Sequence, residues 1–112
     1  MKKFFLLVLF CMLGSAAYAN IPITFSVNMS IQMREGNFDP SKDFVYVRGN
    51  FQVDVGDASD WSGTTFTTSD LNSDSIYTIT INFPDSLNGK NFEYKFVLND
   101  GGWEALTNNR KL

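Results

Sequence analysis

The sequence has no histidine, so the side chain that most often serves as a general base or metal ligand near neutral pH is missing from the outset. Cys11 is the sole cysteine and lies inside the apolar run Phe4 to Leu13, behind Lys2 and Lys3 and ahead of Ala17-Tyr18-Ala19. A basic start, a short apolar stretch and a small-x-small end make a secretory signal peptide, with cleavage expected after Ala19. Phe10 is too bulky for a lipoprotein cleavage box, so Cys11 is assigned to the discarded leader and not to a lipid anchor. Nothing after residue 19 approaches the ~20 consecutive apolar residues of a membrane helix, which excludes stable insertion by such a helix from the expectation. The mature protein is expected to be exported, to periplasm, cell surface or medium, and to lack both a disulfide framework and a thiol nucleophile.

Positive charge is scarce too. The whole chain carries 9 basic against 12 acidic side chains, and loss of Lys2 and Lys3 with the leader leaves 7 against 12. Phosphate backbones demand clustered Lys and Arg, so nucleic acid is not an expected partner, whereas a neutral polysaccharide is untouched by this objection. The 93 residues left when 19 are removed from 112 suit one small domain, residues 20–112, held by its core alone.

That core is legible as alternation. Ile23, Phe25, Val27 and Met29 alternate with Thr24, Ser26 and Asn28, and Ile31 and Met33 extend the pattern as one opening strand. Arg34 to Lys42, with Gly36, Asp39 and Pro40, reads as a loop. Phe44 to Arg48 is a second strand, Thr64 to Thr68 a weaker third, and Ile76 to Phe83 a fourth with Tyr77, Ile79, Ile81 and Phe83 inward. Phe92 to Leu98 is a fifth, turning Tyr94 and Phe96 one way and Lys95 the other. No convincing helix, repeat, low-complexity tract or linker interrupts them. Short strands at this spacing predict an all-β, antiparallel β-sandwich of the immunoglobulin-like kind. Tyr46, Tyr77 and Tyr94 are expected in its core.

The residues that carry chemistry cluster near the end, in FEYKFVLNDGGWEALTNNR, Phe92 to Arg110. Aromatics, a lysine and side-chain amides crowd one hairpin that holds no catalytic group. Asn99-Asp100-Gly101-Gly102 reverses the chain. A four-residue turn would pair Trp103 with Leu98 and bury it, while a slip of one residue turns it outward beside Lys95. Arg110 reads as a structural partner of Glu104 or Asp100. The spacing Asp70, Asn72, Asp74 copies the start of an EF-hand loop, but Ser75 stands where glycine is needed and Ile81 where glutamate is needed, so a strand-connecting turn is expected there. No pair of carboxylates is marked out as acid and nucleophile, so no enzyme activity is expected.

The pattern YKF, a turn, WE and then NR resembles the C-terminal half of starch-binding carbohydrate-binding modules of the family 20 type. The resemblance extends to VYVRGNF, Val45 to Phe51, and to DLNSDSIYTITINFP, which look like the strand before the first sugar-contacting loop and the acidic turn with its following strand. Related modules on secreted bacterial glycan-degrading proteins share this style. The resemblance implies noncatalytic binding of α-glucan (starch, glycogen, maltooligosaccharides) with no cofactor, through Trp61, Lys95, Trp103 and Asn109, alone or beside a glycan-degrading enzyme. Two departures stand out: Trp61 lies ten residues beyond Phe51, past the family's compact loop, and the family continues beyond Asn109-Arg110 into a last strand for which this chain leaves no room. The sandwich is therefore expected to lack that strand, either as a natural short form or through a truncated gene. The rival expectation is an immunoglobulin-like structural or adhesive domain that docks a protein partner along an exposed edge.

An indole suits a pyranose because the ring offers C–H groups on one face and hydroxyls at its rim. About 80 Å² of apolar sugar surface removed from water per indole, at ~25 cal/mol/Å², gives ~2 kcal/mol each, and hydrogen bonds that replace water add about 1 kcal/mol. After the cost of association, affinity is expected between micromolar and millimolar.

Overall fold

A computed structural model describes residues 19–112. The leader expected over residues 1–19, Cys11 included, lies outside the described residues save for Ala19. Two antiparallel sheets face each other. One pairs β1 (Asn20–Asn28) with β3 (Ile76–Pro84) over their full lengths, Phe25 opposite Ile79. The other centres on β4 (Glu93–Leu98), with β2 (Val45–Gly49) on one side and the two short strands β5 (Gly102–Trp103) and β6 (Arg110–Lys111) on the other. The expected all-β sandwich is what the chain forms.

The alternating apolar residues meet between the sheets. Phe25 of β1 packs against Phe51 at 5.3 Å and edge-on against Tyr94 at 4.9 Å, while Phe83 of β3 reaches Phe51 at 5.5 Å and Phe92 at 5.6 Å. Val45, Val47 and Phe96 supply the other wall. With no disulfide among the described residues, this aromatic layer carries the stability, each fully buried Phe contributing about 1.5–3 kcal/mol over its exposed state.

Three sequence expectations need correction. Ile31 and Met33 do not prolong β1: its partner ends where Ser75, with φ of 69°, turns away, so the last ladder bond runs from Met29 N–H to Ser75 O. Asn28 Oδ1 then accepts the Ser30 N–H, and the unpartnered chain closes its own bonds as a five-residue helix, α1 (Ser30–Arg34). Thr64 to Thr68 is not a strand but a strap. Val47 N–H donates to Phe66 O and Thr68 N–H to Val45 O, after which Ser69 and Thr78 exchange both backbone bonds, so the segment crosses from the edge of β2 to the edge of β3. Tyr46 is not core, since its neighbours Val45 and Val47 take the inward face of β2. Tyr77 lies in the core, and Tyr94 is half-buried at its border, edge-on to Phe25 and Phe96.

The far side of β1 has no described partner. Ladder bonds at Ala19 and Met29 direct the odd residues of β1 toward β3, so the backbone groups of Thr24, Ser26 and Asn28 point the other way. Pro22 falls in the same set, where its missing N–H leaves no ladder bond unmade.

Candidate functional site

Outward alternation places Tyr46 and Arg48 on one face of β2 and Glu93, Lys95 and Val97 on the same face of β4. Register across the sheet decides what joins them. Trp103 stands opposite Val97 and Gly102 opposite Leu98, so of the two registers open to the hairpin the one-residue slip is realised, and the indole faces outward. Gly102 makes that register affordable to the backbone, because a Cβ there would run into the Leu98 carbonyl oxygen. Asn99 and Gly101 turn the chain with φ of 51° and 108°, and Asn99 Oδ1 accepts the Phe44 N–H at 2.9 Å, tying the turn to the start of β2. Val97 is wholly buried, although it faces away from the sandwich core, beneath this outer layer.

Trp61 arrives from a different direction. The nine residues separating it from Phe51 fold back on themselves, so that its backbone N–H donates to Gly49 O at the end of β2. The organiser is Gln52, 1% exposed. Its Oε1 accepts the Gly49 N–H at 3.0 Å, and its Nε2 donates to Ser62 O at 2.7 Å and to Asp57 Oδ2 at 2.9 Å. Asp57 Oδ1 in turn accepts the Thr65 hydroxyl, and Asp60 accepts the Val53 N–H. The Gln52 amide, followed by the Ala58 N–H, holds the Asp57 carboxyl below its ordinary pKa. Gly49 has no room for a side chain, its would-be Cβ meeting the Glu93 carbonyl and the Phe51 ring.

The two indoles therefore meet, with centroids 6.2 Å apart and planes inclined at 50°. Trp103 is 41% exposed and Trp61 half-buried. Arg48 lies against the Trp103 member of the pair: its guanidinium sits 5.4 Å from the Trp103 ring centre and 5.8 Å from that of Tyr46. Its Nε donates to Gly63 O at 2.9 Å and its Nη2 to Asp100 Oδ1 at 3.2 Å, so one buried side chain is bonded to both tryptophan-bearing loops.

Lys95 shares the face and donates from Nζ to Leu106 O at 3.0 Å, which leaves two further N–H groups on the ammonium. Two residues along β4 from Val97, it is about 7 Å from the Trp103 register position. Asn109 is further off. Its amide donates to Glu93 Oε2 at 3.2 Å, and Glu93 is four residues, about 13 Å, from Val97. The geometry thus brings Trp61 and Trp103 together with Lys95 beside them and Asn109 at the margin. Arg110 does not join: it grips Glu104 through Nε at 2.9 Å and Nη2 at 3.0 Å, a pairing that raises its own pKa. Glu104 Oε1 also accepts the Phe96 N–H, filling the gap in the β4 ladder between β5 and β6.

Sequence reasoning missed Arg48 and Gln52. Arg48 was within reach, since it alternates with Val45 and Val47 on a strand that also supplies Tyr46. Gln52 was not, because its partners Gly49, Asp57 and Ser62 are gathered round it by a loop without periodicity. The acidic turn behaves as expected: Asp70 accepts the Asp74 and Ser75 N–H groups and Asp74 accepts that of Ile76. Among the described residues no group of three metal-ligating side chains assembles, and no helix is long and apolar enough to cross a membrane. No family model, no curated protein and no solved structure matches the chain.

Proposed function

We propose that this protein is an exported, noncatalytic module of the starch-binding type, with an immunoglobulin-like sandwich, that binds α-glucan on the outer face of the β2–β4–β5 sheet. The observation that carries the reading is the inclined, partly exposed indole pair, Trp61 and Trp103, delivered by separate loops to one patch. Two flat platforms at 50° fit the arc of an α-1,4-glucan, whereas the flat β-1,4 chain of cellulose suits coplanar platforms. Lys95 offers its free N–H groups to hydroxyls at the rim, and Asn109 reaches a neighbouring sugar unit. Polysaccharide is the partner, and a glycan-degrading enzyme is the natural companion of such a module.

Retention on insoluble starch, competed by cyclodextrin or maltooligosaccharides but not by cellulose fragments, tests the reading. Trp103→Ala should weaken binding about 30-fold, the ~2 kcal/mol of one indole on a sugar face, while the melting temperature moves by only a few degrees. Equal retention on starch and cellulose, or undiminished binding by Trp103→Ala, would overturn it.

A second reading has its own observation. The free side of β1 runs nine residues without a charged side chain, and natural proteins protect such edges or use them. A structural or adhesive domain docking a protein strand there would migrate unchanged through a starch-containing native gel.

A further inference from the structure

The aromatic surface does not stop at the indoles. Phe44, 53% exposed, immediately precedes β2 and stands beside the outward Tyr46, with ring centroids 6.3 Å apart and planes only 16° from parallel. Arg48 links Tyr46 to Trp103, at 5.8 and 5.4 Å from the two ring centres. Trp61, Trp103, Arg48, Tyr46 and Phe44 therefore form one row of flat groups along a single face, each step between 5.4 and 6.3 Å. The Phe44 end is pinned as well as exposed: its N–H donates to Asn99 Oδ1, its carbonyl accepts the Asn99 N–H, and Asn99 Nδ2 holds Asp43. A half-exposed phenylalanine whose N–H and carbonyl are both bonded to Asn99 is a preformed apolar platform, and preformed platforms lose little entropy on binding.

The geometry points to a second sugar subsite at Phe44 and Tyr46, which receives units of the same α-glucan chain that lie beyond those stacked on the indoles. The inference rests on the α-glucan reading of the indole pair and adds chain length to it. Phe44 offers a single flat ring, backed by Tyr46, where the indoles offer an angled pair, so the two ends of the row hold successive stretches of one bent chain. The occupant is a neutral polymer, since the row's single cation is buried and already bonded to Gly63 O and Asp100, while the exposed Asp100 carboxylate beside it disfavours an anionic chain.

Titration of the mature protein with maltotriose and with maltoheptaose separates the outcomes. The wild type should bind the longer oligosaccharide about tenfold more tightly, the gain expected from apolar sugar surface covered by one further aromatic platform. Phe44→Ala should erase most of that gain and leave maltotriose affinity within about twofold, while Phe44→Tyr should restore it. Maltotriose binding with no gain for the longer chain, or a gain that survives in Phe44→Ala, overturns the second subsite and leaves the indole site standing. Failure of the wild type to bind either sugar overturns both. Melting curves on the same samples guard against loss of fold, and an unfolded Phe44→Ala would pass the test to Phe44→Leu, which keeps apolar bulk without the flat ring and should lose the gain likewise.

Discussion

The two tryptophans reach one patch from loops that are held in opposite ways. Trp61 rides on a long loop wired from within: buried Gln52 bonds to Gly49, Asp57 and Ser62, and two aspartates take up neighbouring donors. Trp103 rides on a short hairpin held from without, by its register against β4 and by the reach of Arg48 to Asp100. A long loop has many backbone donors and acceptors to satisfy, and a single side chain with both kinds of group can gather them. A tight hairpin satisfies its own, so only its tilt against the sheet needs fixing. Both arrangements preorganise an indole, but their failure should differ in size and in kind.

The largest effect should come from the wired loop. Gln52→Leu keeps the volume and removes every bond, leaving the Gly49 N–H and the Ser62 carbonyl without their partner at a cost of about 2–4 kcal/mol. In a domain of this size that lowers the melting temperature by roughly 10 °C or more. A melt within two or three degrees of wild type, roughly the scale of half a kcal/mol, would show that the loop holds itself without Gln52.

Arg48 sharpens the contrast, because one side chain bears on both loops. Arg48→Met should cost about 1–3 kcal/mol, since Gly63 O loses its donor and the Tyr46 and Trp103 rings lose the cation between them. Asp100→Ala removes only the outer end of the same contact. Asp100 is 90% exposed, and an exposed pair is worth about half a kcal/mol or less, so this variant should melt like wild type. Denaturant titration of both variants decides whether Arg48 acts through burial and stacking or through its ion pair, and a comparable loss in Asp100→Ala would favour the ion pair.

The smallest effect is the response to acid. Asp57, held by the Gln52 amide and the Ala58 N–H, has a folded pKa below its unfolded value. Such a group stabilises the fold above its unfolded pKa of ~3.9, and that contribution is lost as pH falls through the lower folded value. Asp74, bonded by the Ile76 N–H, behaves alike. The melting temperature should thus hold from neutrality to about pH 5 and fall below about pH 4, and Asp57→Asn should make the fall shallower. An unchanged acid slope in Asp57→Asn would mean that the carboxylate contributes nothing to holding the Trp61 loop.

How much of this was legible in the chain follows from the range of the forces involved. Alternation is local, so β1, β2, β3 and β4, the inward set Phe25, Tyr77, Ile81, Phe83 and Phe96, and the outward turn of Lys95 could be read from neighbouring residues. The end of β1 could not be, because it depends on where its partner turns away at Ser75, forty-odd positions downstream, and Ile31 and Met33 became a helix turn for want of a strand beside them. Tyr46 misled for a related reason: a tyrosine between valines reads as core only until the sheet has an outer face worth covering.

The sequence by itself determined the all-β class, the strand faces and the concentration of aromatic and amide groups near the C-terminal hairpin, because propensity, period and turn chemistry act over a few residues. Only the tertiary structure decided that Trp103 faces outward, that a ten-residue excursion returns Trp61 to within 6.2 Å of it, and that Arg48 is bonded to both loops. Those outcomes depend on a one-residue register and on bonds between segments far apart in the chain, and no local pattern carries that information.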